Sequence, residues 1–317
     1  MRDLTACAKP SLAAERARVS REGLSAAILA AQRADGCWRR EGKPAWVSTL
    51  FTLLLLRSTG VDPSEPAVQS AIARLEANCR WSHHDGRWDL RAPEFGGNSF
   101  FEGEVEPCIN GGVLALGGYF GRAAERLAHR LATEQLEDGG WNCDAPKSSR
   151  SSFHTTICVL EGLLEYERAA GYAPEIAAAR RRGEQYLLER RLFRRRSTGE
   201  VASTQFLELA FPPRYHYDVL RALEYFRAAG ASPDERMNEA VQWIATRRQP
   251  DGQWLLDRCY DETHAVGTGE TMGEPSRWIT LHALRVLQWH GQYRRLPKDR
   301  MPYGLECSHA LRMGRRF

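Results

Sequence analysis

Apolar residues along this chain fall into two alternating helical patterns. One set of stretches, roughly 14–34, 66–79, 122–137, 174–193 and 233–249, is apolar on a single face, with i, i+3, i+4 spacing as at Ala240, Trp243 and Ile244. The other set, roughly 45–59, 106–120, 153–170, 215–229 and 276–290, is apolar on most faces, as in the run Leu50 to Leu56. A helix apolar all round is buried, and one apolar on a single face covers a core. The alternation therefore predicts five pairs, each of one outer and one inner helix. Gly60, Gly121, Gly171, Gly230 and Gly291 follow the inner stretches, where left-handed backbone commonly ends a helix.

An Asp-Gly-x-Trp turn separates outer from inner stretches at Asp35–Trp38, Asp85–Trp88, Asp138–Trp141 and Asp251–Trp254. The spacing places a degenerate copy near Ser197–Glu200. A repeat of this period means stacked supersecondary units. Closing five such units on themselves gives an all-α fold, a single α/α toroid of about five inner and five outer helices. Its inner helices run parallel and gather their N-termini at one mouth. The turn glycines permit the bend and the tryptophans plug the gaps between repeats.

The composition, 43% hydrophobic and 26% charged over 317 residues, suits one large domain, with a core over about 14–291 and a basic tail over 296–317. Arginine runs at 180–182, 190–191, 194–196 and 315–316 read as solvated helix faces and tail, without the interleaved aromatics of a base-stacking surface. A net charge of +4 does not by itself imply nucleic acid, and no nucleic-acid partner is expected. The run Leu50 to Leu56 is too short to span a bilayer, so no stable membrane insertion is expected. Eight cysteines without regular pairing, and no leader-like segment, suggest a cytoplasmic chain with reduced thiols.

Those thiols leave metal binding or plain burial as their roles. Aligning two repeats without a gap puts Cys108 on His154, each at the start of an inner helix, with Glu106 beside the first. Three such ligands would make an open Zn²⁺ site, because thiolate and imidazole select zinc over calcium or magnesium. Cys143, eleven residues before His154, would close that site and make it structural. At the same mouth, His216 is a candidate acid or base, Asp218 a second acid and Arg277 an anion clamp. Asp218 and Arg277 also read as helix caps or paired charges. Phe100, Phe101, Phe153, Tyr215 and Trp278 either line an apolar pocket or pack the barrel. The 255–274 segment is long enough to be a lid. Cys37, Cys79, Cys158, His83, His84 and His129 carry no chemistry in this reading.

Gln32 to Trp38 and Gln135 to Trp141 both read Gln-x-x-x-Gly-x-Trp, which resembles the QW motif of squalene–hopene cyclases. The chain over about 14–291 resembles a toroid of the terpenoid cyclase and protein prenyltransferase β-subunit superfamily. Residues 104–163 are most similar to the zinc region of farnesyltransferase β subunits, through Glu106-x-Cys108, Gly139-Gly140, Asp144 and Phe153-His154-Thr155. The resemblance implies that Glu106, Cys108 and His154 bind Zn²⁺ and that Asp144 lies near the reacting end of the substrate. The segment Asn98–Glu104 departs from that pattern: it is acidic, with no Lys or Arg for a diphosphate. The Asp-x-Asp-Asp acid of the cyclases is absent, and no partner α subunit can be inferred.

The expected function is thus a zinc-dependent prenyltransferase-like or terpenoid cyclase-like enzyme acting on an apolar small molecule, isoprenoids included, in the toroid cavity. Two alternatives stay open. One is a metal-free cyclase-like enzyme using Asp144 or His216 as its acid. The other is a non-catalytic binding protein with structural zinc.

Overall fold

The computed structural model describes residue 14 and residues 17–81, 88–89, 97–122 and 124–291. They form an all-α protein with short strands between helices. The singly apolar stretches become α1 (Gly23–Ala30), α3 (Pro66–Asn78), α5 (Glu125–Thr133), α7 (Pro174–Leu188) and α9 (Asn238–Thr246). The fully apolar stretches become α2 (Ala45–Thr59), α4 (Pro107–Phe120), α6 (Phe153–Ala170), α8 (Val219–Ala228) and α10 (Arg277–Trp289). All five of the second set, and none of the first, line one central cavity. These cavity helices pack in chain order, α2 on α4, α4 on α6, α6 on α8 and α8 on α10. Strands β1 (Arg80–Trp81), β2 (Trp88–Asp89) and β3 (Asn98–Ser99) form an antiparallel sheet in the order β2-β1-β3. Strands β4 (Trp254–Leu255) and β5 (Pro275–Ser276) pair antiparallel.

The repeated turn is a hydrogen-bonded plug. The indoles of Trp38, Trp141 and Trp254 are fully buried and donate to Ile28, Leu131 and Ile244 carbonyls at 2.7, 2.6 and 2.7 Å. Their backbone N–H groups donate to Thr49, Thr156 and Thr280 hydroxyls on the cavity helix that follows. Gln135 donates to the Gly139 carbonyl across its own turn and to Ala179 of the next repeat, and Gln32 does the same to Gly36 and Ala67. Each plug thereby ties an amphipathic helix, its cavity helix and the neighbouring unit together. The Asp85–Arg87 part of the second turn, His83, His84 and the 296–317 tail lie outside the described residues.

Glycine sets the closest helix approach. A Cβ at Gly162 would sit 2.5 Å from the Gly111 carbonyl, and one at Gly118 would sit 2.6 Å from the Glu165 carbonyl. One at Gly111 would run into the Cys158 carbonyl. Only hydrogen side chains let α4 and α6 meet backbone to backbone, and these two helices pack together more extensively than any other pair.

Two elements start differently from the sequence pattern. Residues 20–22 break the first amphipathic stretch, so α1 spans Gly23–Ala30. The fourth cavity helix begins at Val219, not 215, because Asp218 caps it by accepting the Arg221 N–H at 2.9 Å. Pro212 and Pro213 lack N–H donors, and Arg214 is left-handed at φ 49°, so the chain ahead of Asp218 is a loop.

Candidate metal centre

The Asn110 side chain builds the entrance to α4. Its amide accepts from the Glu104 N–H at 2.7 Å and donates back to the Glu104 carbonyl at 2.8 Å. This fixes the loop that carries Glu104 and Glu106. Glu106 occupies the N-cap of α4, yet its carboxylate caps no backbone N–H. It turns instead to Cys108, whose Sγ donates to Oε2 at 3.8 Å. Cys143 arrives from the Trp141 loop, its Sγ 3.4 Å from the Thr155 hydroxyl. The ligand atoms of Glu106, Cys108 and Cys143 all lie within 4.8 Å of one another.

The three groups hold their protons unequally. The Cys143 thiol is lowered to about 7, chiefly by hydrogen bonding from Cys108 and also from Thr155. Cys108 is pushed far up, first by its contact with the Cys143 sulfur and then by burial. Of the two, Cys143 is therefore the readier to ionise. Glu104 is 1% exposed, its Oε2 accepts the Val105 N–H, and its Oε1 has no hydrogen-bond partner. Burial raises it to about 8. Among the described residues no arginine or lysine hydrogen-bonds to any of these four acids.

A divalent cation suits this set. Sulfur and carboxylate donors in contact, partly buried and lacking a countercharge, match the soft end of zinc chemistry. Three protein donors leave a coordination position open.

His154 does not join them. The Tyr217 N–H donates to its Nδ1 at 2.8 Å, and burial lowers its pKa to about 4, so the ring is neutral. A neutral imidazole accepting at Nδ1 carries its proton on Nε2, leaving neither nitrogen a free lone pair for a metal. The expected Glu106–Cys108–His154 set is thus replaced by Glu106–Cys108–Cys143.

The Cys108 end opens into a cavity of about 590 Å³. Leu50, Leu54, Ile109, Ala115 and Tyr119 supply apolar wall. A belt of ion pairs crosses it. Arg221 grips Glu161 through two 2.8 Å hydrogen bonds and reaches the Cys158 Sγ at 3.5 Å. Glu165 accepts from Arg57 at 3.2 Å and from Arg168 at 2.5 Å. Burial alone would raise Glu161, but Arg221 outweighs it and holds the carboxyl below its ordinary range.

The remaining candidates separate. Asp218 borders the cavity but serves as a helix cap, and burial raises it to about 6. Tyr215 lines the cavity. His216 lies between Tyr215 and Tyr260, with ring centroids 4.3 and 3.5 Å away, and burial lowers its pKa. It is neutral near pH 7 and offers no acid. Asp144 sits in an exposed turn, its backbone carbonyl accepting the Ser148 N–H at 2.9 Å, and does not border the cavity. Arg277 points outward, 64% exposed, and pairs with Glu270 at 3.5 Å. Phe100 stacks on Trp81, Phe153 joins Tyr186, Phe206 and Tyr217, and Trp278 stacks on Phe211. These three pack against other aromatic rings and do not line the cavity. The 255–274 segment is packed down, with the Phe211 N–H donating to the Arg258 carbonyl at 3.1 Å and Arg214 paired with Glu262. It contributes His264 to the cavity wall. Glu104, Glu161 and Arg221 escaped the sequence reading. Glu161 had a signal, a charge interrupting an otherwise apolar helix, whereas nothing distinguished Glu104 from other loop acids.

No family model matches this sequence, and no curated protein matches it. Among solved structures, a crystal structure of a protein from Actinoplanes is similar over 84% of this chain and 82% of its own, at 16% identity and a TM-score of 0.45. No helix among the described residues is long and apolar enough to cross a membrane.

Proposed function

We propose that this chain is a zinc-dependent enzyme whose five helix pairs close into an α/α toroid around its substrate cavity. The convergence of Glu106, Cys108 and Cys143 beside that cavity carries the reading. When bound, zinc would supply Lewis acidity and lower the pKa of a thiol or water beside it. The chain's own groups do the rest. The Cys143 sulfur is held beside the first turn of α4, and Glu106 accepts a hydrogen bond from the Cys108 thiol. The His154 imidazole presents an N–H donor. Arg221, locked by Glu161, is a fixed cation in the wall, and the Leu50–Ile109 side receives an apolar portion of substrate. The resemblance to prenyltransferases adds transfer to a thiol, with an isoprenoid-type substrate, as the reaction class. Reduced thiols at such a site fit a cytoplasmic setting.

Equilibrium dialysis tests the metal. About one zinc per chain is expected, retained in His154→Ala and lost in Cys108→Ala and Cys143→Ala. A folded wild-type chain that takes up none overturns the proposal. A structural zinc is the second reading, favoured by the two-cysteine donor set. Cobalt(II) substitution separates them: an open position shifts the visible spectrum when a small thiol is added, and a closed one leaves it unchanged.

A further inference from the structure

A second cleft, of about 720 Å³, lies where the 138–151 loop meets the end of α7 and the turn after it. None of its lining residues borders the central cavity. Two of the arginine runs that the sequence pattern assigns to solvated faces, 190–191 and 194–196, contribute residues here. Left-handed Arg191 and Leu192, at φ 46° and 68°, turn the chain back beyond α7. Arg190, Arg194, Arg195 and Arg196 then line one cleft with Arg150 from the Trp141 loop, against a single lining carboxylate, Asp138.

The charges do not cancel. Arg190 pairs with Asp138 at 3.5 Å, Arg196 with Glu189 at 3.2 Å, and Arg194 makes a two-point contact with Glu239. The side chains of Arg150 and Arg195 have no partner among the described residues. Two guanidinium charges therefore stand uncompensated in one cleft, beside an arginine already ordered: Arg190 lies over the Tyr186 ring, 3.7 Å from its centroid. Guanidinium forks match the oxygens of phosphate, and a phosphate monoester carries about −1.5 to −2 charge near pH 7. The edges of the buried Phe153 and Tyr186 rings border the cleft.

We propose that this cleft binds the phosphate monoester of a small molecule, with Arg150 and Arg195 as the two unpaired cations. Calorimetric titration of the full chain with phenyl phosphate tests it. Saturable binding is expected that weakens at least tenfold in Arg150→Ala/Arg195→Ala and is unchanged in Arg181→Ala, an exposed α7 position outside the cleft. Raising the salt from about 0.05 to 0.5 M should weaken it severalfold. Both replaced side chains are exposed, and a thermal melt verifies the fold. The single variants Arg150→Gln and Arg195→Gln serve as the readout if the double variant unfolds. No saturable binding, an affinity unmoved by these substitutions, or tighter binding of a hexaglutamate peptide would each overturn the proposal.

Discussion

Cys108 and Cys143 are like side chains that position alone makes unlike. Cys143 receives hydrogen bonds and is lowered, while Cys108 gives one and is raised. The first of these residues was legible as a ligand, since it opens a cavity helix two positions after an acid. Its partner was misread, because repeat equivalence fixes where a backbone lies, not where a lone pair points. His154 sits where the repeat places it, yet spends Nδ1 on the Tyr217 N–H. Glu104 yields a prediction at this scale. Its pKa is raised from an ordinary 4.5 to about 8, so the protonated form is favoured by folding. That contribution is complete below pH 4.5 and is lost as pH rises toward 8. In chelator, the wild type should lose roughly 2–4 kcal/mol across this window, and Glu104→Gln should lose much less. Denaturant unfolding at pH 5 and pH 9 measures the difference, and parallel pH profiles would refute it.

At the scale of elements, α4 and α6 hold the site because glycine lets them touch. Their existence and bounds were readable from apolar runs, and their C-terminal glycines answer to backbone conformation alone: φ is 78° at Gly121 and 91° at Gly171, and a Cβ at either would meet no atom within 4 Å. The closeness of the pair was not readable, since Gly111 and Gly112 look alike in sequence. A Cβ at Gly111 meets a backbone carbonyl of α6, whereas one at Gly112 meets only the tip of Leu54, at 3.2 Å. Gly111→Ala should therefore cost about 3 kcal/mol and Gly112→Ala less than about 1 kcal/mol, as measured by denaturant unfolding. Equal effects would remove the backbone contact as the cause. Loops were the least legible elements. The α8 start slipped because Asp218 caps four residues later than the apolar pattern suggests.

Across the whole molecule, two hydrophobic patterns told which helices face a common cavity, and all five that line it are those apolar on most faces. The cavity's polarity was hidden, because its charges are sparse in each helix and meet only when the helices assemble. Glu161 and Arg221 come from neighbouring helices and neutralise each other inside. The candidate metal site has the same character, joining one helix start to a loop from the next repeat. X-ray absorption at the zinc edge of the reconstituted protein probes that assembly most directly. Two sulfur ligands at about 2.3 Å, lost to one in Cys143→Ala, are the expected result. A single sulfur with imidazole scattering that disappears in His154→Ala would contradict it.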